Sequence, residues 1–87
     1  MPGMVKLLVY IREDCWSCAE SHRIVAEIAP EFPQLAVELV DFDVPDRPQN
    51  IFAVPTYVLN GRIISLGNPY RDELRKEIAT ALENHQM

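Results

Sequence analysis

Eighty-seven residues with 48% hydrophobic and 24% charged side chains leave room for one domain, residues 1–87, that buries about 60–65% of the surface of its unfolded chain, and they exclude a disordered or fibrous protein. Thirteen acidic against eight basic residues give a formal charge of −5 with no basic run, which argues against a nucleic-acid partner. No apolar run approaches the roughly 18 residues of a membrane span, and Met1-Pro2-Gly3-Met4-Val5-Lys6 lacks the basic-then-apolar order of a signal peptide, so the expected place of work is the cytoplasm, away from membranes.

In chain order, Val5-Lys6-Leu7-Leu8-Val9-Tyr10-Ile11 is a near-continuous apolar run, as in a strand buried on both faces of a parallel sheet, with Lys6 at its outer end. From Trp16 to about Ala29, helical spacing counted from Cys15 sets Cys15, Cys18, His22, Val25 and Ala29 on one stripe and Glu20, Arg23 and Glu27 on the other side. The first stripe is the predicted buried face, and Pro30 and Pro33 end the helix. Val37-Glu38-Leu39-Val40-Asp41-Phe42-Asp43 is a second strand, expected parallel to the first across a right-handed helical crossover. Asp41 and Asp43, ahead of Val44-Pro45, read as turn residues.

The segment Val44–Ala53 carries two prolines and weak periodicity, with room for about one helical turn from Pro48. Thr56-Tyr57-Val58-Leu59 and Arg62-Ile63-Ile64-Ser65 flank Asn60-Gly61, whose tolerance of positive φ at both central positions predicts a type I′ hairpin. Asn68-Pro69 resembles a helix cap and first helical residue, after which Tyr70, Leu74, Ile78 and Leu82 recur at four-residue steps and predict a last helix packed on the sheet. Tyr57 and Tyr70 are expected to pack in sheet and helix, and His85-Gln86-Met87 to fray.

The chemistry concentrates in Cys15-Trp16-Ser17-Cys18, between the first strand and the first helix. A disulfide so short cannot hold distant segments together, so the pair serves chemistry or metal. Two thiols in this spacing can close a disulfide within one helical turn, and the unpaired N–H groups at the helix start, with the macrodipole, favour thiolate on the first. Arg12 favours that thiolate as well; Glu13 and Asp14 oppose it. Zinc would use Cys15, Cys18 and His22 but would still need His85 or a carboxylate, so no metal is expected. His22 follows Cys18 by four residues, which makes the two neighbours on a helix and His22 a candidate acceptor for the Cys18 proton. Trp16 either offers an apolar landing to a client or shields the disulfide.

The order β-α-β, linker, β-β-α, with Cys-x-x-Cys after the first strand and Val54-Pro55-Thr56 before the third, resembles the thioredoxin superfamily over nearly the whole chain. The Asn60-Gly61-Arg62 spacing after Pro55, and Arg12 three residues before Cys15, resemble its small glutaredoxin-like members. The resemblance implies a four-stranded mixed sheet flanked by helices, with the family's second helix reduced to about one turn. It also implies a cis Pro55 opposite the cysteines, and a Val54 backbone that offers strand-like hydrogen bonds to an incoming peptide or glutathione. Three departures stand out. Trp16-Ser17 replaces the family's usual pairs between the cysteines. Ser65-Leu66-Gly67-Asn68-Pro69 follows the hairpin where many glutaredoxins carry Gly-Gly and an acidic pair. Val9 occupies the place of a buried acid.

These readings combine into a thiol-disulfide oxidoreductase with Cys15 and Cys18 as its dithiol and Arg12, Trp16, Val54, Pro55 and Thr56 as its substrate-binding surface. It needs no cofactor and is expected to act as a monomer. Its partners are protein or small-molecule disulfides and, as electron donor, a dithiol reductase or glutathione. Two alternatives stand beside it: a glutathione-dependent glutaredoxin, and a non-catalytic binding module whose disulfide senses redox state.

Overall fold

The structure, a computed structural model, describes residues 5–85. Of the fraying expected at His85-Gln86-Met87, Gln86 and Met87 lie outside them, and His85 is the last residue of the final helix. The apolar run forms β1 (Val5–Ile11), followed by α1 (Trp16–Ile28) with a 3₁₀ turn at Ala29–Glu31, β2 (Leu35–Asp41), β3 (Thr56–Leu59), β4 (Arg62–Leu66) and α2 (Arg71–His85). The four strands make one mixed sheet in the order β2-β1-β3-β4. β1 runs parallel to β2, Val5 opposite Leu35 and Ile11 opposite Asp41, and antiparallel to β3, Leu7 opposite Leu59 and Tyr10 opposite Thr56.

Alternation along β1 divides the interior in two. Val5, Leu7 and Val9, with Tyr57 and Leu59, meet Ile24 and Ile28 of α1 and Leu74 and Ile78 of α2, so both helices cover the same face. Tyr10, Val58, Leu8 and Ile63 face the other way and are covered by Phe42, Ile51 and Val54 from the connection between β2 and β3. That connection is a chain of turns: Val44 N–H to Asp41 O at 3.2 Å, Arg47 N–H to Val44 O at 3.3 Å, and, in place of the helical turn expected from Pro48, a single turn closed by Ile51 N–H to Pro48 O at 3.0 Å. Arg47 lies 3.7 Å from the centroid of the Phe42 ring and Arg12 lies 5.0 Å from it, a cation–π arrangement that fastens the start of the connection.

Four expectations are corrected. The buried face of α1 is Cys18, Ser21, Ile24 and Ile28, while His22 is exposed. Cys15 is the N-cap, with extended backbone at φ −93°, ψ 118°, so helical spacing cannot be counted from it. Second, β2 starts two residues early, where Leu35 pairs with Val5, and stops two residues early, because the Asp41 carboxylate accepts the Asp43 N–H at 2.9 Å and turns the chain so that Phe42 points inward. Third, α2 starts at Arg71, and the Asn68 side chain is engaged elsewhere. Fourth, Tyr70 lies just ahead of α2 and is 80% exposed, outside the packed face of the helix.

The hairpin has the expected turn, φ 49° at Asn60 and 83° at Gly61. Across the helices, Arg71 pairs with Glu20 at 3.2 Å and with Glu27, and Arg75 pairs with Glu31 at 2.9 Å.

Candidate active site

β1 ends at Ile11, whose carbonyl accepts the Phe42 N–H at 2.8 Å, and the chain then turns so that Cys15 N–H reaches Arg12 O at 3.4 Å. This tight turn delivers Cys15 to the N-cap of α1, where its sulfur accepts the Cys18 N–H at 3.1 Å. Cys15 and Cys18 are joined as a disulfide with Cα atoms 5.2 Å apart, an ordinary separation for such a bond. The two sulfurs differ in access. Cys15 is half-buried, whereas Cys18 is 2% exposed and its sulfur takes the Arg12 N–H at 3.5 Å.

An open groove of about 910 Å³ reaches both cysteines and is bordered by Arg12, Glu13, Asp14, His22, Asp41 and Asp43. Arg12 brings less positive charge to the sulfur than its position suggests, because its guanidinium grips Asp43 at 3.0 and 3.4 Å. The hydrogen bond from Arg12 holds the Asp43 carboxyl below its usual range. Stabilisation of a Cys15 thiolate therefore rests on the backbone N–H groups at the start of α1.

The other expected site residues fall around this centre. Trp16, the first residue of α1, is 85% exposed beside Cys15. Because Tyr10 pairs with Thr56, the Val54–Pro55 segment lies at the end of the sheet where the chain leaves β1 for the cysteines. The Val54–Pro55 bond is cis, and Pro55 O accepts the Gly67 N–H at 2.7 Å. Val54 is half-buried against Phe42 and Ile51. Thr56 is fully buried and its hydroxyl donates to Ala53 O at 2.6 Å, so it shapes the turn ahead of Pro55. His22 borders the groove one helical turn beyond Cys18.

Asn68 was hidden from the sequence. Its amide nitrogen donates to Ser17 O, inside the Cys-x-x-Cys segment, at 2.8 Å, and its oxygen accepts from Ser21 and Tyr57 at 2.6 and 2.9 Å. Its place before Pro69 mimicked a cap; only its distance from Ser17 in space, 51 residues apart in sequence, reveals the contact.

No model of a protein family matches the chain. Among proteins of known identity, the thioredoxin of Methanocaldococcus jannaschii is 35% identical over 83 residues, covering 90% of this chain and 96% of the relative. Among solved structures, oxidised mitochondrial thioredoxin 3 of Saccharomyces cerevisiae aligns with a TM-score of 0.76 at 21% identity, over 90% of this chain and 79% of that one. Fasciola hepatica thioredoxin aligns with a TM-score of 0.73 at 22% identity, over 90% and 81%. The structural likenesses carry the fold, and the sequence likeness, with a disulfide at the start of α1, carries the activity: the chain belongs to the thioredoxin family and is a thiol-disulfide oxidoreductase.

Proposed function

We propose that Cys15 is the attacking thiolate and Cys18 the resolving thiol. The observation that carries this is the asymmetry of the pair: Cys15 is accessible and receives the Cys18 N–H, whereas Cys18 is sealed at 2% exposure. The Cys15 thiolate attacks one sulfur of a client disulfide, forming a Cys15–client disulfide and expelling the other client sulfur as thiolate. Cys18, its proton given up to His22 or solvent, then attacks the Cys15 sulfur. The second client thiolate leaves, Cys15–Cys18 closes, and two electrons have passed to the client; an external dithiol reductase returns them.

In this reading Trp16 is the apolar landing for the client and the Val54–Pro55 edge aligns its backbone, with Thr56 holding that edge and Arg12 bordering the groove. The chain works as a single domain, residues 1–87, as a monomer in the cytoplasm and without a cofactor. No helix among the described residues is long and apolar enough to cross a membrane, and the acidic balance of the chain keeps copies apart.

Replacing each cysteine tests the roles. Cys15→Ser is expected to abolish disulfide exchange, whereas Cys18→Ser retains the attacking thiol and accumulates clients as mixed disulfides on non-reducing gels. Adducts on Cys15→Ser and none on Cys18→Ser would reverse the assignment.

A further inference from the structure

The peptide group between Ser17 and Cys18 is engaged at both ends. Its N–H is shared between the Cys15 sulfur at 3.1 Å and the Cys15 carbonyl at 3.2 Å, and its own carbonyl receives the Asn68 amide at 2.8 Å. Behind the amide, the Asn68 oxygen takes the hydroxyls of Ser21 and Tyr57, both fully buried. Burial pushes the Tyr57 phenol up, so it remains a neutral donor. The amide has one workable orientation, since a flip would set its oxygen against the Ser17 carbonyl, which can only accept. The chain of donors thus runs in one sense, from two buried hydroxyls through Asn68 and the Ser17–Cys18 peptide to the sulfur. In such a chain each bond polarises the next.

Resting on the reading of Cys15 as the attacking thiol, we infer that Asn68 is a positioning residue for the exchange reaction: its amide sharpens the Cys18 N–H as a donor to the Cys15 sulfur and thereby favours the thiolate. On reduction that sulfur becomes an anion, a stronger acceptor than a disulfide sulfur, so the relay acts mainly on the reduced form. A favoured thiolate stabilises the dithiol and makes the couple more oxidising. The neighbouring Gly67 holds the Pro55 carbonyl at 2.7 Å, so one short connection between β4 and α2 braces both the cysteines and the edge beside them. The charged and titratable side chains on the other side of the cysteines, Arg12, Glu13, Asp14, His22, Asp41 and Asp43, border the groove. On the side of α1 toward α2, Glu20 and Arg71 are paired with each other at 3.2 Å. A substitution at Asn68 leaves all of these in place.

The test is site-resolved alkylation of the reduced protein with iodoacetamide across neutral pH, read by mass spectrometry, together with the amide proton resonance of Cys18. In the wild type Cys15 reacts first. Asn68→Ala is expected to slow Cys15 alkylation near neutral pH by about two- to fivefold, to move its pH profile upward and to shift the Cys18 amide proton upfield, as the loss of one polarising bond implies. Gly61→Ala, at the opposite end of the sheet, supplies a destabilised control whose profile stays with the wild type. If Asn68→Ala fails to fold, Asn68→Asp keeps the accepting oxygen, lacks the donor, and is read by the same amide resonance. An unchanged Cys15 profile with an unmoved Cys18 amide overturns the inference alone. Reaction at Cys18 first in the wild type overturns the assignment of roles and the inference with it.

Discussion

At Asn60 and Gly61 the chain reverses with positive φ at both residues, 49° and 83°. A Cβ built on Gly61 meets nothing within 4 Å, so the penalty for a side chain there is conformational and owes nothing to crowding. Gly61→Ala is expected to lower stability by about 1–2 kcal/mol, the cost of the left-handed region for a residue with a Cβ, while thiol-disulfide exchange keeps its rate. Urea unfolding beside an exchange assay checks both halves, and a loss below a few tenths of a kcal/mol would show that the hairpin relaxes around the change. Asn60 tolerates its place partly through its side chain, whose oxygen accepts the Lys6 N–H at 2.9 Å and stitches the turn to the start of β1.

The two helices share the inner face of the sheet and are tied to each other by ions. Hydrogen bonds from Arg23 and then Arg71 hold the Glu20 carboxyl below its ordinary value of 4.5, and Arg75 does the same for Glu31. A carboxyl lowered in the folded state stabilises the fold above its unfolded value and loses that contribution as pH falls through its folded one. The thermal midpoint should therefore hold from neutral pH down to about 5 and drop below 4.5, with a shallower drop in Glu31→Gln. These pairs are exposed, so added salt should flatten the same curve; a pH profile identical in Glu31→Gln would remove Glu31 from the account.

Elements differed in how far the sequence disclosed them. β1 and the hairpin were legible because an apolar run and Asn-Gly carry their geometry locally. The phase of α1 was not, since Cys18 belongs equally to the stripe through His22 and to the one through Ser21, and it is the packing of Ile24 and Ile28 on the sheet that selects the second. The cysteine pair announced itself by spacing. Asn68 did not, because its partners Ser17, Ser21 and Tyr57 come from two other elements and no local pattern joins them.

Across the whole molecule, the connection from β4 to α2 spends its polar groups internally. Gly67 N–H goes to Pro55, the Ser65 hydroxyl to Gly67 O at 2.8 Å, and the Asn68 amide to Ser17. Glutathione, an anionic tripeptide, would meet a chain of formal charge −5 and few free donors there. At about 1 kcal/mol net for each hydrogen bond forgone, two or three lower its affinity by roughly thirtyfold to over a hundredfold. Turnover is expected to be slow with glutathione and faster with a protein dithiol reductase; initial rates on one mixed-disulfide substrate decide it, and faster reduction through glutathione would restore the glutaredoxin reading.

The face of the sheet away from the helices is roofed by a string of turns pinned at Phe42, Ile51 and Val54. Such a roof is expected to lift in fluctuations that leave the strands intact, because single turn hydrogen bonds and the contacts of three apolar side chains hold it down. Its two ends are the Arg12–Asp43 clasp, which borders the groove, and the Val54–Pro55 edge, so a lifting of the roof is expected to loosen both together. Hydrogen–deuterium exchange should find residues 44–50 exchanging far ahead of β1, at rates set by local opening and insensitive to mild denaturant; amides of the roof that exchange only as slowly as those of β1 would mean that the two come apart together.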